Sequence, residues 1–112
     1  MIAIGATHSD SAPLLQLAEW RSQGKRVALA MVVSTWGSSP RPVGSYLAVT
    51  EDGDFSGSVS GGCIEGDVVE EAIQVIKKGI SKTLEYGVTD NLAWEVGLSC
   101  GGTIKIYVEP IA

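Results

Sequence analysis

Apolar and polar positions divide this chain into segments of different period. From Ser11 the spacing is helical: Leu14, Leu17, Ala18 and Arg21 share one side with Leu15 adjacent, Ser9, Asp10 and Ser11 offer caps, and Gly24 ends the segment. Residues 1–10 carry no periodic signal. Arg26 to Thr35 is a nearly continuous apolar run, as expected for a strand covered on both faces. Trp36 to Gly44 holds two glycines, two prolines and two serines and predicts a loop. Ser45–Thr50 reads as a second strand, Glu51–Asp54 as a hairpin turn, and Phe55–Val59 as a short returning strand. Ile64, Val68, Ala72 and Ile76 then fall four apart with Val69 and Ile73 beside them, predicting an amphipathic helix over 64–78. Glu65 and Asp67 in its first turn and Lys77 and Lys78 in its last suit the helix dipole, and Gly79 suits a left-handed end. Lys82–Tyr86 alternates like a strand, and Thr89–Asn91 offers caps for a helical turn through Glu95. Gly97–Gly102 is a second glycine-flanked loop, and Thr103–Glu109 alternates as a last strand closed by Pro110. Helices interleaved with strands predict an α/β (or α+β) fold: residues 1–112 as a single small domain, a sheet of about five strands with two or three helices packed on it.

Composition agrees with one domain and narrows the partners. The 112 residues are 45% hydrophobic and 19% charged, enough to bury a core and unlike a disordered chain. A net charge of −5, with no basic run, argues against a nucleic-acid surface and a membrane patch. No apolar run reaches spanning length, and Met1–Gly5 lacks the features of a signal peptide, so the expectation is a soluble cytoplasmic protein with its two cysteines reduced. His8 is the sole histidine, which leaves little material for a Cys/His catalytic pair or a histidine-rich zinc site.

The candidate chemistry gathers in three glycine-rich stretches, 36–44, 57–63 and 97–102. The middle one leads through Gly61 and Gly62 to Cys63, immediately before the predicted helix. A helix N-terminus stabilises an anion and favours thiolate, which would make Cys63 a better nucleophile or metal ligand; Glu65 and Asp67 oppose that effect. The alternative reading of Cys63 is a small buried apolar residue, with the glycines only turning the chain. Arg41 is held between Pro40 and Pro42, a stiff mount for a guanidinium that binds phosphate or carboxylate; the alternative is a surface ion pair. The stretch from Gly57 spells neither a dinucleotide fingerprint nor a P-loop, and Cys63 and Cys100 are too far apart in sequence for a CxxC pair. Two thiols, one arginine and many backbone donors suit a polyanionic ligand with a sulfur-seeking centre better than proton-transfer chemistry, provided that the loops meet at one end of the sheet.

Gly37-Ser38-Ser39-Pro40-Arg41 with Gly44, the run Gly57 to Glu65, Trp94 with Gly97-Leu98-Ser99-Cys100-Gly101-Gly102, and Val108-Glu109-Pro110 together resemble the XdhC/CoxI family in order and spacing. The family comprises accessory proteins of xanthine dehydrogenase and related molybdenum hydroxylases. The resemblance implies a non-catalytic chaperone that binds the molybdenum cofactor, protects it while a cysteine desulfurase supplies its sulfido ligand, and helps insert it into the apo-hydroxylase. It implies that Cys63 contacts or guards the molybdenum, with Cys100 as a second thiol nearby. It implies further that Gly61 and Gly62, with Ser38, Ser39 and Arg41, hold the pterin phosphate or an attached nucleotide. Many family members carry a second, Rossmann-like domain, whose fingerprint does not occur here. The expectation is therefore a stand-alone form, working as a homodimer or with a separate Rossmann-domain subunit, or a fragment.

Two other functions compete with the carrier. One is a thiol-dependent enzyme with Cys63 as nucleophile, which lacks a base because His8 stands alone. The other is a structural module that pairs with a Rossmann-domain subunit or with itself.

Overall fold

The computed structural model describes residues 12–36, 43–59, 64–86 and 103–111. In chain order these form α1 (Ala12–Ser22), β1 (Val27–Trp36), β2 (Tyr46–Thr50), β3 (Phe55–Gly57), α2 (Glu65–Lys78), β4 (Lys82–Tyr86) and β5 (Thr103–Ile111). The strands make one sheet in the order β3-β2-β1-β5-β4, with every neighbouring pair antiparallel. Five strands with two helices among the described residues agree with the predicted sheet of about five strands with two or three helices, and the chain is a small α/β domain.

The apolar run becomes the central strand. Ala28, Ala30 and Val32 are fully buried in one cluster with Leu47, Val49, Ile106 and Val108 from the flanking strands, and with Val68, Ala72 and Ile76 from α2. Val27, with Leu29 beside it, belongs instead to a second cluster with Ala48, Leu17 and Trp20, the last two from α1. Alternate residues of β1 thus serve opposite faces, and a helix covers each, which is why the run shows no polar alternation. Between Val32 and Ser34 the register against β5 shifts by one residue, a bulge that adds twist toward Trp36.

α1 buries a different face from the one its leucines suggest. Pro13, Leu17 and Trp20 are buried, whereas Leu14 is 37% and Leu15 69% exposed. The sheet presents small residues at this point. Trp20 and Leu17 cover Ala48, and Pro13 lies so close to Gly57 that a Cβ there would sit 2.6 Å from its Cγ. The larger area of the indole decides the rotation of the helix.

β5 also runs further than expected, through Pro110 to Ile111. β4 pairs with β5 only as far as Val108, so beyond that point one flank of β5 is an edge, where a missing N–H leaves no ladder bond unmade.

α2 connects β3, at one edge of the sheet, to β4, at the other, and crosses the face over β1 and β5 on the way. Its last carbonyls are satisfied in two ways. Gly79 takes the left-handed conformation (φ 71°) and its N–H donates to Val75 O at 2.8 Å. Arg26 Nη2 donates to Ile76 O at 2.7 Å, placing a cation at the negative end of the helix dipole.

Candidate functional site

The strand order brings several chain ends together at the N-terminal end of α2. Trp36 pairs with Thr103, and Tyr86 with Ile104, so the end of β1, the end of β4 and the start of β5 are neighbours. Gly44 N–H donates to Val32 O and Val32 N–H to Ser45 O, which fastens the entry of β2 to the same half of β1. Ser58 N–H donates to Tyr46 O at 3.1 Å, so β3 finishes beside that entry. The flanks of segments 37–42, 60–63 and 87–102 therefore lie at one end of the sheet. Ser38, Ser39, Arg41, Gly61, Gly62, Cys63 and Cys100 fall within those segments and lie outside the described residues. So does the helical turn predicted near Trp94.

The first turn of α2 holds two carboxylates, and each binds a strand end. The N-cap, Ile64, makes no side-chain cap bond. Glu65 follows it and is buried, at 8% exposure. Its Oε2 accepts Ser58 Oγ–H at 2.6 Å and Val59 N–H at 2.9 Å. Asp67, two residues further on, accepts the phenol O–H of Tyr86 from the end of β4. Burial, then that bond to Asp67, then the charges of Asp67 and Glu71 push the Tyr86 phenol well above its ordinary value, so it stays protonated and donating.

Sequence reading credits Glu65 and Asp67 to the helix dipole alone. The structure gives them a second task as acceptors, it makes Ser58 and Val59 of the run Gly57 to Glu65 donors, and it adds Tyr86, which no motif includes. The available signal is Tyr86 itself: a tyrosine on the inward side of a strand needs a partner for its hydroxyl.

Two further features bear on what could bind here. Gly57 has φ 103°, and a Cβ would lie 2.3 Å from Tyr46 O, so this glycine is required by close packing of β3 on β2 and α1. Among the described residues, Ser45 Oγ is a buried hydroxyl with no hydrogen-bond partner, at the entry of β2 on this same end. Among the described residues there is no group of three or more His, Cys, Asp or Glu that could hold a metal. A metal-bearing ligand would thus depend on the thiols and donors of the three segments, whose soft and polyanion-binding chemistry fits such a group.

The opposite end of the sheet offers a cleft of about 540 Å³, lined by Arg21, Lys25, Arg26, Val27, Ile76 and neighbours. Its cations sit against the C-terminal end of α2, and Arg26 is committed to the Ile76 carbonyl. Those carbonyls favour cations over an anionic ligand, so this cleft serves the helix end.

Comparison with known proteins gives a consistent result. The family model described as "XdhC and CoxI family" matches residues 20–87. The molybdenum cofactor insertion chaperone PaoD of Escherichia coli (strain K12) is 34% identical over 89 residues, which are 79% of this chain and 27% of that protein. A protein of Bacillus subtilis (strain 168) named as a probable xanthine dehydrogenase component is 30% identical over 89 residues, 78% of this chain and 27% of that protein. Among solved structures, a xanthine dehydrogenase from Bacillus halodurans superposes with a TM-score of 0.74 at 30% identity, covering 89% of this chain and 30% of that one. The chain spans about a quarter to a third of the length of these relatives. Among the described residues, no helix is long and apolar enough to cross a membrane.

Proposed function

This chain belongs to the XdhC and CoxI family, and from that membership we propose that it is a carrier for the molybdenum cofactor, serving a xanthine dehydrogenase-type molybdenum hydroxylase. The observation that carries the reading is the 34% identity to a molybdenum cofactor insertion chaperone over 79% of this chain. The shared position of the flanks of three glycine-rich segments at the N-terminal end of α2 supports it.

In this reading Cys63 contacts or guards the molybdenum and Cys100 supplies a second thiol. Gly61, Gly62, Ser38, Ser39 and Arg41 offer backbone and side-chain donors to the pterin phosphate or an attached nucleotide. The chain protects the cofactor while a cysteine desulfurase installs its sulfido ligand, and then hands it to the apo-hydroxylase. It acts in the cytoplasm as a carrier and not as a catalyst, with residues 1–112 as one domain, and it works as a homodimer or beside a Rossmann-domain subunit.

The test is molybdenum and pterin content per chain after anaerobic copurification from cells that make the cofactor, beside a Cys63→Ala variant. Near-equal amounts of both in the parent, lost in the variant, are expected. Parent protein without either overturns binding by this chain alone. That outcome favours a second reading, suggested by the share of its relatives that the chain spans: an interaction module that completes a cofactor site only with a further subunit.

A further inference from the structure

β3 is an edge strand, and its outer side has no neighbour among the described residues. On its inner side Ser56 pairs with Ala48. Two residues to either side, Asp54 O accepts Thr50 N–H at 2.8 Å and Ser58 N–H donates to Tyr46 O at 3.1 Å. The N–H and C=O of a trans peptide point opposite ways, so Phe55 N–H and Gly57 C=O both point outward from the sheet. Phe55 and Gly57 pair with Val49 and Leu47 of the cluster under α2, so both lie on that face. Phe55 is 52% exposed there, and Gly57 has no side chain to fill the place beside it. Lysine and proline, which guard many edges, are absent from Phe55–Gly57.

We propose that β3 is a docking edge for a second copy of this chain, the two strands running antiparallel about a two-fold axis through Ser56. In that register Phe55 N–H donates to Gly57 C=O of the second copy, and the reverse, while each phenyl ring covers the other copy's glycine. The edge is thus complementary to itself, as a two-fold interface requires. Charge permits the pairing, because Asp54 and its copy stand about 14 Å apart across the axis, beyond the screening length of about 8 Å. The helices permit it too. α1 lies chiefly over β2, with β3 and β1 to either side, and the two β2 strands would be about 14 Å apart, more than the roughly 8–10 Å that packed helices need. The two sheets become one, with the N-terminal ends of the two α2 helices at opposite ends of it. β3 thereby becomes the surface of the homodimer named under the proposed function, on which the assignment rests. Its brevity makes the association weak.

Sedimentation velocity follows the parent and Phe55→Lys from about 5 to 500 μM, where weak interfaces associate. In parallel, Ser56→Cys and, on the far edge strand β4, Thr83→Cys are mildly oxidised in a Cys63→Ser, Cys100→Ser background. Across the axis the two copies of position 56 form a non-hydrogen-bonded pair, with Cα atoms about 4.5 Å apart and within disulfide reach. The parent should dimerise increasingly over that range, and Phe55→Lys should dissociate about tenfold more readily or more. Ser56→Cys should cross-link, and Thr83→Cys should not. A parent that stays monomeric, a Phe55→Lys protein that dimerises like the parent, or equal cross-linking at both edges overturns the proposal. If Phe55→Lys does not fold, the cross-linking contrast decides. A monomer that carries cofactor would strike the dimer and leave the carrier reading standing, whereas a dimer joined at Ser56 without cofactor would do the reverse.

Discussion

The phenol of Tyr86, the last residue of β4, donates to the carboxylate of Asp67 in the first turn of α2. Because α2 follows β3, which lies at the opposite edge of the sheet from β4, this bond ties the helix start to the far edge through residues 19 apart in the chain. It has a consequence for stability against pH. The folded state holds the Tyr86 proton above the ordinary phenol value of about 10, whereas the unfolded chain releases it there. The stabilisation is complete below pH 10 and is lost as pH rises beyond it, because only the unfolded state then gains charge. Tyr86→Phe should cost about 1–2 kcal/mol at neutral pH. It should also flatten the alkaline decline above pH 10 by up to about 1.4 kcal/mol per pH unit. Urea titrations of both proteins from about pH 8 to 11.5 measure this, and equal slopes would contradict it.

Gly57 and Gly66 lie near the same end of the sheet but should respond in opposite ways to alanine. At Gly57 the backbone is left-handed and the new methyl meets Tyr46 O at 2.3 Å and Pro13 Cγ at 2.6 Å. Gly57→Ala should destabilise by about 2 kcal/mol or more and lower the urea midpoint by about 1 M or more at unchanged m-value. Gly66 is inside α2 with nothing within 4 Å of an added Cβ. Gly66→Ala should stabilise by about 0.5–1 kcal/mol through helix propensity.

Much of the fold was legible because it rests on period. The nearly continuous apolar run from Arg26 to Thr35 became the doubly covered central strand Val27–Trp36, and the four-residue spacing from Ile64 with Gly79 beyond it became α2. What failed depends on facing surfaces, which no period records. Trp20 rather than Leu14 faces the sheet because Ala48 and Gly57 leave room there, and Pro110 stays in a strand because β4 stops short of it. Of the candidate site, the sequence showed three glycine-rich segments, and the residues it singled out within them lie outside the described residues. That their flanks converge follows from strand order, with β3 and β4 at opposite edges and α2 spanning between them. The acceptor roles of Glu65 and Asp67 were hidden because a dipole argument already accounted for acids in a first turn.

Ser45 supplies another prediction. Its hydroxyl is buried at 2% exposure without a partner among the described residues, so folding strips it of water with no hydrogen bond from them in return. Ser45→Ala should therefore stabilise the free protein by about 1 kcal/mol, where most buried substitutions destabilise. Chemical denaturation checks the sign. A loss of stability would show that the hydroxyl is bonded in solution, with an internal water as the partner.

The guanidinium of Arg26 makes two interactions of unequal value. One guanidinium nitrogen donates to Ile76 O at 2.7 Å, and another lies 3.8 Å from Glu51 Oε1. The Arg26–Glu51 pair is open to solvent, with side chains 59% and 37% exposed, so attraction between the charges contributes little after screening. The carbonyl bond acts at the end of α2, where the dipole adds to it. Arg26→Ala should cost about 1–2 kcal/mol, and Glu51→Gln less than about 0.5 kcal/mol. A double-mutant cycle should return a coupling below about 0.5 kcal/mol that shrinks further near 1 M salt, where the Debye length is about 3 Å. The Arg26→Ala cost should survive that salt, because a short hydrogen bond to a carbonyl is not an interaction between two free charges. If Glu51→Gln proves as costly as Arg26→Ala, the ion pair and not the helix end is what Arg26 stabilises.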